Sequence, residues 1–207
     1  MDCRVEIRKL LAVSLLSSGM LMTAACTTEA DNDPDLIAVS GFAGDDGRLQ
    51  RPWSFVHHAT LGSYRLNVND GILSIERTGP EPSATLAQSL PAETVAKIGG
   101  STLVFAADLR ANLETDTWGT PVSPTGMVVR MHSPPAGGSS HIAARLGTGR
   151  QQTVRLDLSP SIRMNDWQRH ELEFDVPEDA ERLTVSFAMT AGGILEIRNP
   201  SLTLVGR

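Results

Sequence analysis

Cysteine is almost missing from this chain. There are two in 207 residues, Cys3 and Cys26, which excludes a scaffold stapled by several disulfides. Lysine is scarce too: after residue 25 the only one is Lys97. Residues 26–207 carry 15 basic and 22 acidic side chains, a net charge of −7. That balance lacks the phosphate-neutralising charge on which sequence-independent nucleic-acid binding rests, so nucleic acid is not an expected partner. Beyond the N-terminus no apolar run reaches the ~20 residues that cross a bilayer as a helix. There is no G-x-S-x-G elbow, no H-E-x-x-H pair and no internal repeat of the kind that builds a solenoid or propeller.

What is present begins with a leader. Arg4, Arg8 and Lys9 precede Leu10–Ala25, an apolar run of 16 residues ending in small side chains. This is the layout of an export signal, and it is too short to persist as a membrane anchor. Residues 1–25 are therefore expected to form a signal helix that is cleaved. Thr23-Ala24-Ala25-Cys26 resembles the bacterial lipobox, in which a cysteine directly follows small residues, and departs from it at Thr23, where that pattern usually has Leu. The resemblance implies that Cys26 is acylated and becomes the first mature residue. Because Thr27 is not Asp, it also implies an outer-membrane lipid anchor, with the body facing the periplasm or the cell surface. Ordinary signal cleavage near Ala24-Ala25 is the alternative. Acylation would account for a single thiol in an oxidising compartment. Residues 26–37, which include the acidic stretch from Glu29 to Asp35, read as a flexible tether, and residues 38–207 as one domain.

Alternation of period two recurs through that domain. Asp70-Gly71 between Tyr64–Asn69 and Ile72–Arg77 signals a hairpin. In TLVFAADLRAN, Leu103, Phe105, Ala107 and Leu109 alternate with Val104, Ala106, Asp108 and Arg110. Similar runs surround Met127–His132, Thr153–Leu158, Glu171–Val176 and Leu183–Met189, and Leu202 and Leu204 close the chain. One apolar and one polar face per run is the pattern of sheets packed on a core from one side. The fold class is thus all-β, an antiparallel β-sandwich. The one helical stretch is short: Pro91 suits a first helical position and Gly99-Gly100 ends it.

Two longer stretches carry a family resemblance. ATLAQSLPAETVAKIGGSTLVFAADLRA looks like a strand bearing Gln, a short turn, a Gly and a long strand ending near Arg. NDWQRHELEFDVPEDAERLTVSFAMTAGGILEIRNPSLTLV looks like a strand opened by Trp, a V-P turn, a second strand and an N-x-x-L closing strand. From about Ala84 onward this resembles the galactose-binding-like jelly rolls, of which the CenC-type carbohydrate-binding modules are one group. The resemblance implies a jelly-roll sandwich, with glycan binding as a frequent use of that fold.

Sugars stack their C–H faces on indole and bond their hydroxyls to Arg, Asp, Glu, Asn or Gln. Trp167 and Trp53 read as packing residues. Trp118 sits in the polar loop NLETDTWGTPVSPTG and is the candidate platform; the alternative is a lid tucked over a sandwich edge. Asp108, Arg110, Arg130, His132, His141, Arg145, Arg155 and Asp157 occupy polar-face positions. If their strands were neighbours they would gather on one sheet and grip hydroxyls or a uronate carboxylate; a solvated face held by cross-strand charge pairs is the plainer reading.

No cofactor is expected, and no pair of the five histidines has a ligand spacing. GDDGR (44–48) and Asp70 offer oxygen ligands for a structural calcium. The reading is an envelope lipoprotein that binds glycan without cleaving it, its partners being the membrane, through the lipid on Cys26, and a polysaccharide. The alternatives are an accessory module docking on an envelope protein, or a hydrolase using Ser139 or Ser140 with His141.

Overall fold

The structure is a computed structural model and describes residues 35–38, 41–43, 48–57, 62–115, 124–135 and 149–205. The expected signal, Cys26, residues 44–47 of the candidate calcium loop, Trp118, Ser139, Ser140, His141 and Arg145 all lie outside the described residues.

The elements are β1 (Ser54–His57), β2 (Tyr64–Asn69), β3 (Ile72–Arg77), β4 (Ala84–Ser89), α1 (Ala92–Ile98), β5 (Thr102–Glu114), β6 (Gly126–Ser133), β7 (Arg150–Asp157), β8 (Arg163–Asp175), β9 (Arg182–Met189) and β10 (Gly192–Leu204). They form two five-stranded sheets, ordered β1-β4-β9-β6-β7 and β2-β3-β10-β5-β8, with every neighbouring pair antiparallel. Without the outermost β1 and β2, the orders are 4-9-6-7 and 3-10-5-8. The chain crosses between sheets at nearly every connection, and this double Greek key is the jelly roll.

Local sequence explains the elements. Asp70 (φ 49°) and Gly71 (φ 75°) form a two-residue turn with both residues in the left-handed region, and Asn69 pairs with Ile72. This is the geometry that matches the twist of a tight hairpin. The helix starts one residue later than expected, with Pro91 in the capping position. Val95 and Ile98 bury its inner face, and Gly100 (φ 76°) ends it.

The core is the space between the sheets. Leu103, Phe105, Ala107 and Leu109 of β5 all point into it and are fully buried. They meet Met127, Val129 and Met131 of β6, Leu183, Val185 and Phe187 of β9, and Leu195 and Ile197 of β10. Phe42, Trp53, Phe187 and Phe105 run through it as successive tilted ring pairs 5.3–6.1 Å apart, the offset geometry aromatic quadrupoles prefer. Trp53 is a core residue, as its sequence context suggests.

Two polar arrangements fix the ends. At one, buried Arg77 donates Nε to the Gly79 carbonyl (3.1 Å), Nη2 to Pro80 (3.4 Å) and Nη1 to Thr190, while Thr125 Oγ1 accepts the Thr190 and Ala191 N–H groups, each at 2.9 Å. At the other, one oxygen of Asp35 accepts from the N–H groups of Ile37 and Leu202, both at 2.9 Å, and Leu36 N donates to the Leu202 carbonyl. Residues 35–37, which fall within the expected tether, are thereby stitched to the last strand, with Ile37 in the core.

Strand β8 is far longer than the expected Glu171–Val176: it begins at Arg163. Its first half is polar on both sides, so no alternation marks it. Pairing with β5 as far as Asn112 holds it extended.

Candidate functional site

The outward face of the second sheet is where chemistry gathers. Register places Arg110 opposite Glu196, and Asp108 opposite both Arg198 and Arg169. Arg110 and Glu196 form a two-bond fork, Nε to Oε2 at 2.5 Å and Nη2 to Oε1 at 2.8 Å, the strongest geometry available to this pair. Asp108 is shared by three donors: Asn199 Nδ2 at 2.9 Å, Arg198 Nε at 3.3 Å and Arg169 Nη1 at 3.4 Å. Arg169 also donates to the Asn199 carbonyl (2.8 Å) and to Ser201 Oγ (2.7 Å). Burial pushes the Asp108 carboxyl upward, but the Asn199 amide, the charge of Arg169 and the bonds from both arginines outweigh it, and it lies below the usual carboxylate value. The hydrogen bonds that Arg110 donates to Glu196 raise its guanidinium further above the ordinary value.

Trp167 lies among these groups. The Arg110 guanidinium carbon is 4.8 Å from the indole centroid and that of Arg198 is 4.3 Å from it, both within cation–π range. Beside the Arg110–Glu196 fork is an open depression of about 350 Å³, lined by Ser74, Asn112, Asn165, Met164 and Ile194 with the fork itself. A second, of about 280 Å³, adjoins it across Asn112 and Ile194 and reaches Glu76, Glu114, Gly192 and Gly193. Gly193 (φ 85°) keeps that end low: a Cβ there would stand 2.1 Å from the Asn112 carbonyl oxygen.

Two sequence expectations are corrected. Trp167 does not pack into the core: the parity that turns Leu172 and Phe174 inward, carried back along β8, turns Arg169 and Trp167 outward. The polar residues also do not share one sheet. Asp108 and Arg110 are on β5 in the second sheet, whereas Arg130 and His132 on β6 and Arg155 and Asp157 on β7 belong to the first, because the β5–β6 connection crosses the sandwich. Arg130 is exposed between Thr153 and Thr184, and His132 lies between Gln151 and Arg182. Arg155 donates to Asp157 (3.0 Å) and to the Pro124 carbonyl (2.8 Å).

Of the expected polar-face residues described, Arg110 and its strand neighbour Asp108 belong to the Trp167 cluster. Glu196, Arg198, Arg169 and Asn199 were missed as site residues, although the alternation of Leu195 and Ile197 already sets Glu196 and Arg198 outward.

The outward face of the first sheet differs. Its central positions Val128, Ser186 and Ala188 are buried, and Ser186 Oγ donates to the Val128 carbonyl at 3.0 Å. Glu171 and Glu173 are exposed on the second sheet, opposite Ala106 and Val104. Among the described residues there is no group of three His, Cys, Asp or Glu side chains that could hold a metal ion, and no helix is long and apolar enough to cross a membrane. The exposed large apolar side chains among them, Val56, Ile194 and Val205, sit on β1, on β10 and beyond its end.

A scan against protein-family models finds no match, and a search of curated proteins finds none either. Similar solved structures do exist. A xylan-binding domain of carbohydrate-binding-module family 22 aligns over 84% of this chain and 98% of its own, at 16% identity and a TM-score of 0.47. A family 16 carbohydrate-binding module aligns over 83% and 100%, at 13% identity and 0.47. The enzymatically active domain of bacteriophage CBA120 tailspike protein 4 aligns over 83% of this chain, at 12% identity and 0.47, with this chain spanning 21% of it. At such identities and scores these likenesses carry no functional weight, and the jelly roll rests on the strand order.

Proposed function

We propose that this chain is a polysaccharide-binding module that holds its ligand on the outward face of the second sheet, around Trp167, and does not cleave it. One observation carries the reading: an Arg–Glu fork, two amides and a hydroxyl line a depression of about 350 Å³ on an open sheet, and the Arg110 of that fork lies 4.8 Å from the Trp167 indole. The C–H face of a sugar suits the indole and the Ile194 side chain, and its hydroxyls suit Asn112, Asn165, Ser74 and Glu196. Binding without cleavage is supported by the state of the two carboxylates nearest Trp167. Glycoside hydrolysis needs an acid that gives up a proton, but Asp108 is held ionised and both oxygens of Glu196 are engaged by Arg110. The scatter of the exposed apolar side chains gives no support to protein docking.

The envelope setting belongs to the same proposal. The leader, the small residues before Cys26 and the lone thiol support an outer-membrane lipoprotein whose polysaccharide partner lies in the periplasm or at the cell surface. Trp118, His141, Arg145, Arg130, His132 and Arg155 are the competing candidate binding residues.

The test is calorimetry and affinity electrophoresis of the full chain against soluble xylan, mixed-linkage glucan, polygalacturonate and alginate, comparing Trp167→Ala with Trp118→Ala. Binding lost only in Trp167→Ala supports the sheet face. Binding lost only in Trp118→Ala moves the site to the loop, and a wild type that binds none of the four abandons the reading.

A further inference from the structure

Two guanidiniums lie over Trp167, and they are not held alike. Arg110 is locked by its fork to Glu196, at 2.5 and 2.8 Å. Arg198, the nearer at 4.3 Å, has one side-chain bond, from Nε to Asp108 at 3.3 Å, and its side chain is 38% exposed. Asp108 does not depend on it: if Arg198 leaves, Asn199 and Arg169 still donate to both carboxylate oxygens. Departure therefore strands no buried charge, which is the usual large cost of breaking an ion pair, and it returns a guanidinium to water that already reaches it. A ring seated on the indole needs the same space.

We propose that Arg198 is a displaceable cover on Trp167, so that polysaccharide binding swings it off the indole while Arg110 stays as a fixed donor. The inference rests on the Trp167 site proposed above. Arg198 then lowers the intrinsic affinity of the site, because each binding event must first break its stack, and a side chain that cannot stack should bind better.

The experiment has two arms, so that the cover and the glycan reading fail separately. The first needs no ligand. In a Trp118→Phe background, where Trp53 is buried, acrylamide quenching of the full chain reports Trp167. Arg198→Ala should raise the quenching constant above that of its parent, with Arg198→Lys between them; an unchanged constant overturns the cover. The second arm measures the dissociation constant for whichever polysaccharide of the panel the wild type retains. Losing one exposed cation–π contact should tighten binding about two- to fivefold in Arg198→Ala, whereas Arg110→Ala should weaken it. Unchanged or weaker binding by Arg198→Ala, with an unaltered melting curve, overturns the proposal, and weaker binding makes Arg198 a ligand contact. A wild type that binds nothing sinks the binding site but leaves the quenching arm to decide the cover.

Discussion

Arg110 on β5 and Glu196 on β10 are register partners joined by two hydrogen bonds, and the same guanidinium lies 4.8 Å from the Trp167 indole on β8. One side chain thus ties three adjacent strands together on the open face.

That relationship predicts non-additive binding. Glu196→Gln frees Arg110 from its fork and should weaken polysaccharide binding about as much as Arg110→Ala does. The double variant should be no worse than either alone, because both remove one preorganised unit. Titration calorimetry of the three variants checks this; additive losses would mean the two residues act separately.

Leu109 is fully buried between the sheets. Leu109→Ala should destabilise the domain by about 2–5 kcal/mol through lost transfer energy and a residual cavity. Guanidinium unfolding should show a lower midpoint with an unchanged slope.

The glycines separate strain from space. Gly193 has φ 85° and a Cβ would stand 2.1 Å from the Asn112 carbonyl oxygen, while a Cβ on Gly41 meets nothing within 4 Å. Gly193→Ala should cost more than about 1 kcal/mol, and Gly41→Ala should stay within about 0.5 kcal/mol of wild type. Melting temperatures of the two variants test the contrast.

Stability should fall with acid in two steps. His170 is half-buried with an unpartnered Nε2, and burial holds its imidazole below the ordinary value of 6.5. The unfolded chain then binds the proton more readily, so stability is full above about pH 6.5 and declines as the pH falls toward the folded value. Asp108 is also lowered, despite burial acting upward, by Asn199 and the arginines. Its contribution is present above the ordinary 3.8 and is lost as the pH falls through the lowered value. Melting temperature against pH should therefore drop in both windows, and His170→Leu should flatten the first alone.

Cys26→Ser should leave the chain in the soluble fraction of its host. Wild type should pellet with membranes and show acyl mass on its N-terminal peptide. An unmodified Cys26 in the wild type counts against the anchor.

How much of this could be read in advance follows from what one residue can signal about its neighbours. Asp70-Gly71 announced its hairpin because a turn of two left-handed residues is a local demand. Leu103, Phe105, Ala107 and Leu109 announced a core face because period two is also local. Neighbourhood is not local. Arg110 and Arg130 stand 20 residues apart on consecutive strands, yet one crossover puts them on opposite outer surfaces. Trp167 shows the other failure. Large aromatics usually go inward, and the polar stretch RMNDWQRH shows no alternation of its own, so only parity carried back from Phe174 and Leu172 turns the indole outward. Asn199 became a site residue through the irregular register between Arg198 and Ser201, which no periodicity reveals.

The bond that the Leu202 N–H donates to Asp35 sets where the domain can be attached to anything else. The described chain enters beside residue 202 and its last described residue is Val205, so both leads depart by the same doorway. Leu202 pairs with Phe105, whereas Arg110 and Glu196 pair farther along the same two strands. A permuted version closed by a short bridge there and reopened at Asp70-Gly71 would keep both sheets whole.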